Sequence, residues 1–93
     1  MFSLEFSEKT KRFLKKLDKH IASRIVDRLE NLKESPVPSD AVFIGREEGD
    51  KVFRYRIGDY RALYKLKDSE KIVLVTKIDK RPRVYDWTYL LSL

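Results

Sequence analysis

The sequence contains no cysteine and no glutamine, one histidine (His20), one asparagine, and no methionine beyond Met1. Without cysteine there is no disulfide, no thiolate nucleophile and no thiolate-ligated zinc. One histidine cannot build a histidine metal centre; separately, no small-molecule cofactor is expected. No apolar run approaches the roughly 18 residues of a membrane span, and no signal-peptide pattern opens the chain. These absences lead us to expect a soluble, cytoplasmic protein with no membrane partner. The shortage of thermolabile side chains, with 39% charged residues, is a bias shared with heat-adapted proteins.

What is present is a cationic half. Residues 1–50 hold 10 Lys/Arg and 10 Asp/Glu, whereas residues 51–93 hold 11 and 5, so the whole net charge of +6 lies in the second half. A segregated basic field of this kind favours a polyanion, nucleic acid above all. With 42% hydrophobic residues over 93 positions, the chain has enough apolar material for one folded domain, residues 1–93.

Periodicity assigns the elements. Residues 1–6 alternate, with Phe2, Leu4 and Phe6 on one side, as a half-buried strand does. Ser7 reads as a helix N-cap, and Phe13, Leu14 and Leu17 form the apolar stripe of the helix after it. Asp18 caps a second helix whose row is Ile21, Ile25, Leu29 and Leu32, until Pro36 ends it. The short join predicts an antiparallel helical hairpin. Residues 36–40 form a linker, residues 41–44 touch the sheet, and residues 45–50 turn the chain. Three strands then follow, at 52–57, 60–66 and 72–78, separated by Gly58-Asp59 and by residues 67–70. The β-branched run IVLVTKI fits a central, well-covered strand. The fold class is α+β, an N-terminal strand and helical hairpin packed on a small antiparallel meander.

Strand alternation sorts the basic residues. Arg54 and Arg56 share a face with Val52, opposite Phe53, Tyr55 and Ile57, and Arg61 projects opposite Tyr60, Ala62 and Tyr64. The tail KRPRVY brings Arg81 and Tyr85, with Pro82 stiffening the backbone between Arg81 and Arg83. If the hairpin strands are neighbours, Arg54, Arg56, Arg61 and Arg81 converge with Tyr85 on one cleft. Guanidinium forks suit phosphate, and tyrosine stacks on bases. Lys51, Lys65, Lys77, Lys80 and Arg83 are further candidates for contact with RNA or the ribosome. An exposed strand arginine is often merely solvated, and residue types and spacing reach a basic sheet face but no reaction.

The segment YRIGDYRALY resembles the signature of the RelE/ParE toxin superfamily of type II toxin–antitoxin systems. The opening FSEKTKRFLKKLDKHIASRIVDRLENLKESP resembles that family's helical hairpin, and IDKRPRVY resembles the ending of its RelE branch. The resemblance implies a RelE-like α+β fold and a metal-independent, ribosome-dependent endoribonuclease that cleaves mRNA in the A site. It also implies an acidic, RelB-like antitoxin wrapping the toxin, with ribosome and mRNA as the other partners. The catalytic positions it implies are Arg54, Arg56, Arg61, Arg81 and Tyr85, with attack of a ribose 2′-OH giving a 2′,3′-cyclic phosphate and a free 5′-OH. Arg61 and Arg81 would stabilise the phosphate's charge and Tyr85 would orient the substrate.

One departure bears on the chemistry. Some RelE toxins carry lysines where this chain has Arg54 and Arg56, and arginine is a poor general base. The base is therefore unassigned: Lys51 and Lys80 are the nearby candidates, or proton transfer is weakly catalysed and electrostatics supplies most of the rate. Two readings compete with the nuclease: a ParE-like toxin that inhibits DNA gyrase by binding, and a non-catalytic partner that binds nucleic acid together with its antitoxin.

Overall fold

A computed structural model describes residues 1–80. Arg81, Arg83, Tyr85 and the C-terminal aromatic and leucine-rich stretch lie outside the described residues. The elements are β1 (Ser3–Phe6), α1 (Glu8–Lys16), α2 (Lys19–Glu30), a 3₁₀ turn (Asn31–Lys33), β2 (Ala41–Glu47), β3 (Asp50–Ile57), β4 (Tyr60–Lys67) and β5 (Ile72–Lys80). They form a five-stranded sheet in the order β1-β5-β4-β3-β2, with both helices packed on one face in a common core.

Local chemistry starts and stops the helices as expected. The Ser7 side chain accepts a hydrogen bond from the Thr10 backbone N–H, and that of Asp18 accepts from the His20 N–H. Ile25, Leu29 and Leu32 are almost completely buried against Phe53, Tyr55, Ile57, Tyr64 and Val75. Each such aliphatic side chain contributes about 1.5–3 kcal/mol of transfer free energy.

The strands differ from expectation in three ways. Residues 41–47 form a full edge strand, paired antiparallel to β3 with a bulge between Phe43 and Gly45, and the turn shrinks to Glu48-Gly49. Both turn residues have positive φ, +54° and +87°, as a two-residue I′ hairpin turn demands. The bulge breaks the alternation of AVFIGRE, which hides the strand from a period-2 reading. The meander is also not wholly antiparallel, because β1 lies parallel to β5 from Ser3↔Ile72 to Phe6↔Val75. The helices supply the crossover that a parallel neighbour needs. Nor is β5 the central strand, as its β-branched run led us to expect: it is interior, between β1 and β4, and the centre is β4, where residues 62–66 are all buried.

A polar knot ties α1 to the sheet. Thr10 is completely buried and donates from Oγ1 to the Val75 carbonyl at 3.1 Å. The Ser7 hydroxyl donates to the Thr76 carbonyl at 3.2 Å, and the Ser7 N–H donates to the Val75 carbonyl at 3.0 Å. Thr76 is the unpaired residue at the β4–β5 register shift, so the helix cap satisfies carbonyls around the irregularity. On the core side the Tyr64 hydroxyl donates to the Pro36 carbonyl at 2.6 Å and anchors the linker. Burial pushes the Tyr64 phenol pKa well up, so it stays a donor.

Thr10→Val preserves shape but removes the donor to Val75. We expect a loss of about 1–3 kcal/mol, read as a lower urea midpoint at unchanged m-value; an unshifted midpoint would mean the knot contributes nothing.

Candidate nucleic-acid interface

The helices cover one face of the sheet, and strand alternation sends Val52, Arg54 and Arg56 of β3, and Arg61, Leu63 and Lys65 of β4, to the other. Register makes Arg56 the direct cross-strand neighbour of Arg61 and sets Arg54 opposite Leu63. Like charges directly opposed are unfavourable in a sheet, and here a turn carbonyl moderates the conflict. Arg56 Nε donates to the Gly58 carbonyl at 3.3 Å, and an Arg61 guanidinium nitrogen donates to the same oxygen at 3.5 Å and to the Tyr60 carbonyl at 3.2 Å. Gly58 opens the two-residue turn between Ile57 and Tyr60 with φ +60°, the II′ pattern in which glycine takes the first position. The GD turn thus gathers two arginines on the face opposite the helices.

These arginines line an open cavity of about 520 Å³ together with Arg28, Asp40, Val42 and Gly58. The cavity is a notch at the sheet margin. The β2 register begins at Ala41↔Tyr55, so β3 runs past it by Arg56 and Ile57. Arg28 reaches the notch from α2. Its guanidinium bonds Asp40 at 2.7 Å and stacks 4.9 Å from the Tyr55 ring centroid. Burial raises the Tyr55 pKa, with Arg28 opposing the rise and Asp40 adding to it. Sequence reasoning missed both Arg28 and Asp40, because one reads as a solvated helix residue and the other as linker.

The remaining candidates are distributed unevenly. Lys65 does not join the cluster: it is buried and held at 2.9 Å by both Glu47 and Glu48. These bonds raise the Lys65 pKa, outweighing burial, and lower that of Glu48. Beside it Val52 and Leu63 are buried and pack with Ile44 in a small apolar cluster, so among the described residues this face is cationic at one end only. Lys77 pairs in register with Leu63 on that face. Lys51 and Lys80 fall on the helix-side rows, opposite Leu66 and Tyr60 respectively. Lys51 lies five residues, roughly 17 Å of strand, from Arg56, and Lys80 lines a separate cavity with Ile21, Arg24 and Tyr60. The expectation that either lysine stands beside the arginines as a base is therefore corrected by strand parity. Arg81, Arg83 and Tyr85 lie outside the described residues.

Residues 4–85 match the family model described as ParE toxin of type II toxin–antitoxin systems. The chain belongs to the RelE/ParE toxins. It is 31% identical over 85 residues to RelE1 of Methanocaldococcus jannaschii, a candidate toxin, covering 90% of this chain and 94% of that one. Among solved structures it resembles the RelE–RelB complex of Pyrococcus horikoshii with TM-score 0.77 and 24% identity, over 88% of this chain and 97% of that chain. It also resembles the RelBE2 toxin–antitoxin complex of Mycobacterium tuberculosis, with TM-score 0.72 and 27% identity over 86% and 98%. The isolated RelE toxin of Escherichia coli aligns over the full length of both chains, with TM-score 0.69 and 23% identity. The α+β architecture is thus the RelE fold, and the named relatives support the RelE-like branch.

Two outcomes test the toxin's geometry. Gly58→Ala meets no atom within 4 Å of the added Cβ, so its cost is the positive φ alone, about 1–2 kcal/mol; an unchanged urea midpoint would refute this. Separately, a lowered Glu48 pKa stabilises above its ordinary value of 4.5 and is lost as pH falls through the lowered value. A raised Lys65 pKa stabilises below its ordinary 10.5 and is lost as pH rises through the raised value. Glu48→Gln is expected to flatten the acid side of the stability–pH curve; identical acid sides for both proteins would count against the bridge.

Proposed function

We propose that this toxin is a ribosome-dependent endoribonuclease that cleaves mRNA in the A site and so arrests translation. The observation carrying the proposal is the notch: Arg54, Arg56 and Arg61 line one cavity, and Arg54 and Arg56 make no ion pair among the described residues. Arg54 and Arg56, without carboxylate partners among the described residues, suit a polyanion supplied from outside. The reaction is attack of the ribose 2′-oxygen on the adjacent phosphorus with departure of the 5′-oxygen. Its products are a 2′,3′-cyclic phosphate and a 5′-OH end. Preorganised guanidinium donors stabilise the charge that builds on the phosphate oxygens. In this reading Arg81 and Tyr85 complete the catalytic set, and Lys77 and Arg83 extend the contact with RNA.

The partner in this reading is an antitoxin, since solved relatives are toxin–antitoxin complexes with RelB or RelBE2 in their descriptions. An acidic antitoxin chain would neutralise the notch, and its association would weaken with salt. One observation favours a second reading: the matching family model is that of ParE toxins, and a ParE-like protein would inhibit DNA gyrase by binding without cleaving RNA.

The test is primer extension on mRNA incubated with purified toxin, with and without ribosomes. Ribosome-dependent cuts at A-site codons are expected, reduced about 10²–10³-fold in Arg61→Ala, the scale of one oxyanion donor, and likewise reduced in Arg81→Ala. Intact mRNA from a toxin that still arrests growth would move the answer to gyrase.

A further inference from the structure

Among the described residues lining the arginine cavity there is no lysine or histidine to take the proton from the 2′-OH. Arginine cannot do this near neutral pH, and parity turns Lys51 and Lys80 to the helix side. We propose that Asp40 is the general base of this site, acting from the mouth of the arginine notch. The proposal rests on the nuclease reading and adds a residue to it.

Asp40 is the one carboxylate among the described residues that line the arginine cavity. It stands immediately before β2, where the register reaches Ala41↔Tyr55, so it lies beside the Arg56 end of β3. Arg28 holds one carboxylate oxygen, Oδ2, at 2.7 Å, and the other has no hydrogen-bond partner among the described residues. The side chain is about half exposed, so it faces arriving substrate and is not sealed in the core. Charged and titratable neighbours surround it from each packed element: Arg28 of α2, Arg54, Tyr55 and Arg56 of β3, and Arg61 and Tyr64 of β4. A bound phosphate takes up Arg54, Arg56 and Arg61, while Arg28 keeps the carboxylate aimed.

In the step, the 2′-O–H proton passes to Asp40 as the 2′-oxygen bonds phosphorus. The bond from phosphorus to the 5′-oxygen breaks, that oxygen takes a proton from water, and Asp40 returns its proton to solvent. General-base catalysis of this kind contributes about 10²–10⁴-fold. A second carboxylate, Asp79, faces Arg61 across β4–β5 but does not line the cavity. It is the natural rival.

The test uses the full-length toxin on ribosomes programmed with mRNA, under single-turnover conditions across pH. A second substrate carries one 2′-deoxy nucleotide at the cut site and reports binding alone. Asp40→Asn is expected to lower the cleavage rate about 10²-fold or more, to flatten the acid limb of the rate–pH profile, and to bind the deoxy substrate at least as well as wild type. Asp40→Glu should recover part of the rate, and Arg28→Gln should weaken positioning while keeping the acid limb. Wild-type rates in Asp40→Asn, an acid limb that survives it, or an acid limb lost instead in Asp79→Asn would each overturn the assignment and leave the nuclease reading intact. Wild-type toxin that leaves mRNA whole would overturn the nuclease reading and this assignment with it.

Discussion

The structure depends on a sheet buried on one side by helices. Once α1 and α2 cover a face, alternate residues of every strand join that core and the others lie on the opposite face, where Val52 and Leu63 are buried in a second small cluster. Phe53, Tyr55 and Ile57 go inward, and Arg54 and Arg56 go outward by the same geometry. The charge of the site is therefore a consequence of how the core is made. A one-residue slip of β3 would bury two guanidiniums and expose three large apolar side chains, so register is strongly specified.

The face opposite the helices is divided. At the end near the β2–β3 turn, Ile44, Val52 and Leu63 form an apolar patch, and Lys65 is neutralised by Glu47 and Glu48. Lys67 is likewise paired to Asp50 at 3.0 Å. At the other end the Gly58 carbonyl gathers Arg56 and Arg61. The lysines carry structural ion pairs here, and Arg54, Arg56 and Arg61 line the notch. This division matches their chemistry: a flexible ammonium reaches nearby carboxylates, and a planar fork is suited to phosphate oxygens.

The notch also shows how an edge strand can serve a site. Because β2 begins one step short of Arg56, the sheet margin opens where the linker arrives. Tyr64 anchors that linker at Pro36 from the centre of the core, and Arg28 anchors it at Asp40 from the helix. Two fixed points four residues apart hold the acidic residue at the mouth of the cavity. Membership of the RelE/ParE toxins and the pattern of this notch are consistent with each other, although they come from independent observations.

What the sequence by itself determined is everything carried by local periodicity and turn chemistry. The Ser7 and Asp18 caps, the Ile25–Leu29–Leu32 row, the GD turn and the sorting of Arg54, Arg56 and Arg61 to one face all follow from spacings of a few residues. Tertiary structure alone decided the rest. The bulged β2 has no clean alternation to read, and β1 meets β5 only after some seventy residues have folded between them. The pairing of Lys65 with Glu47 and Glu48, and the meeting of Arg28 and Asp40 at the notch, join residues whose neighbourhoods in sequence are unremarkable charged stretches. Such contacts are set by how the chain closes on itself, and no local pattern encodes that closure.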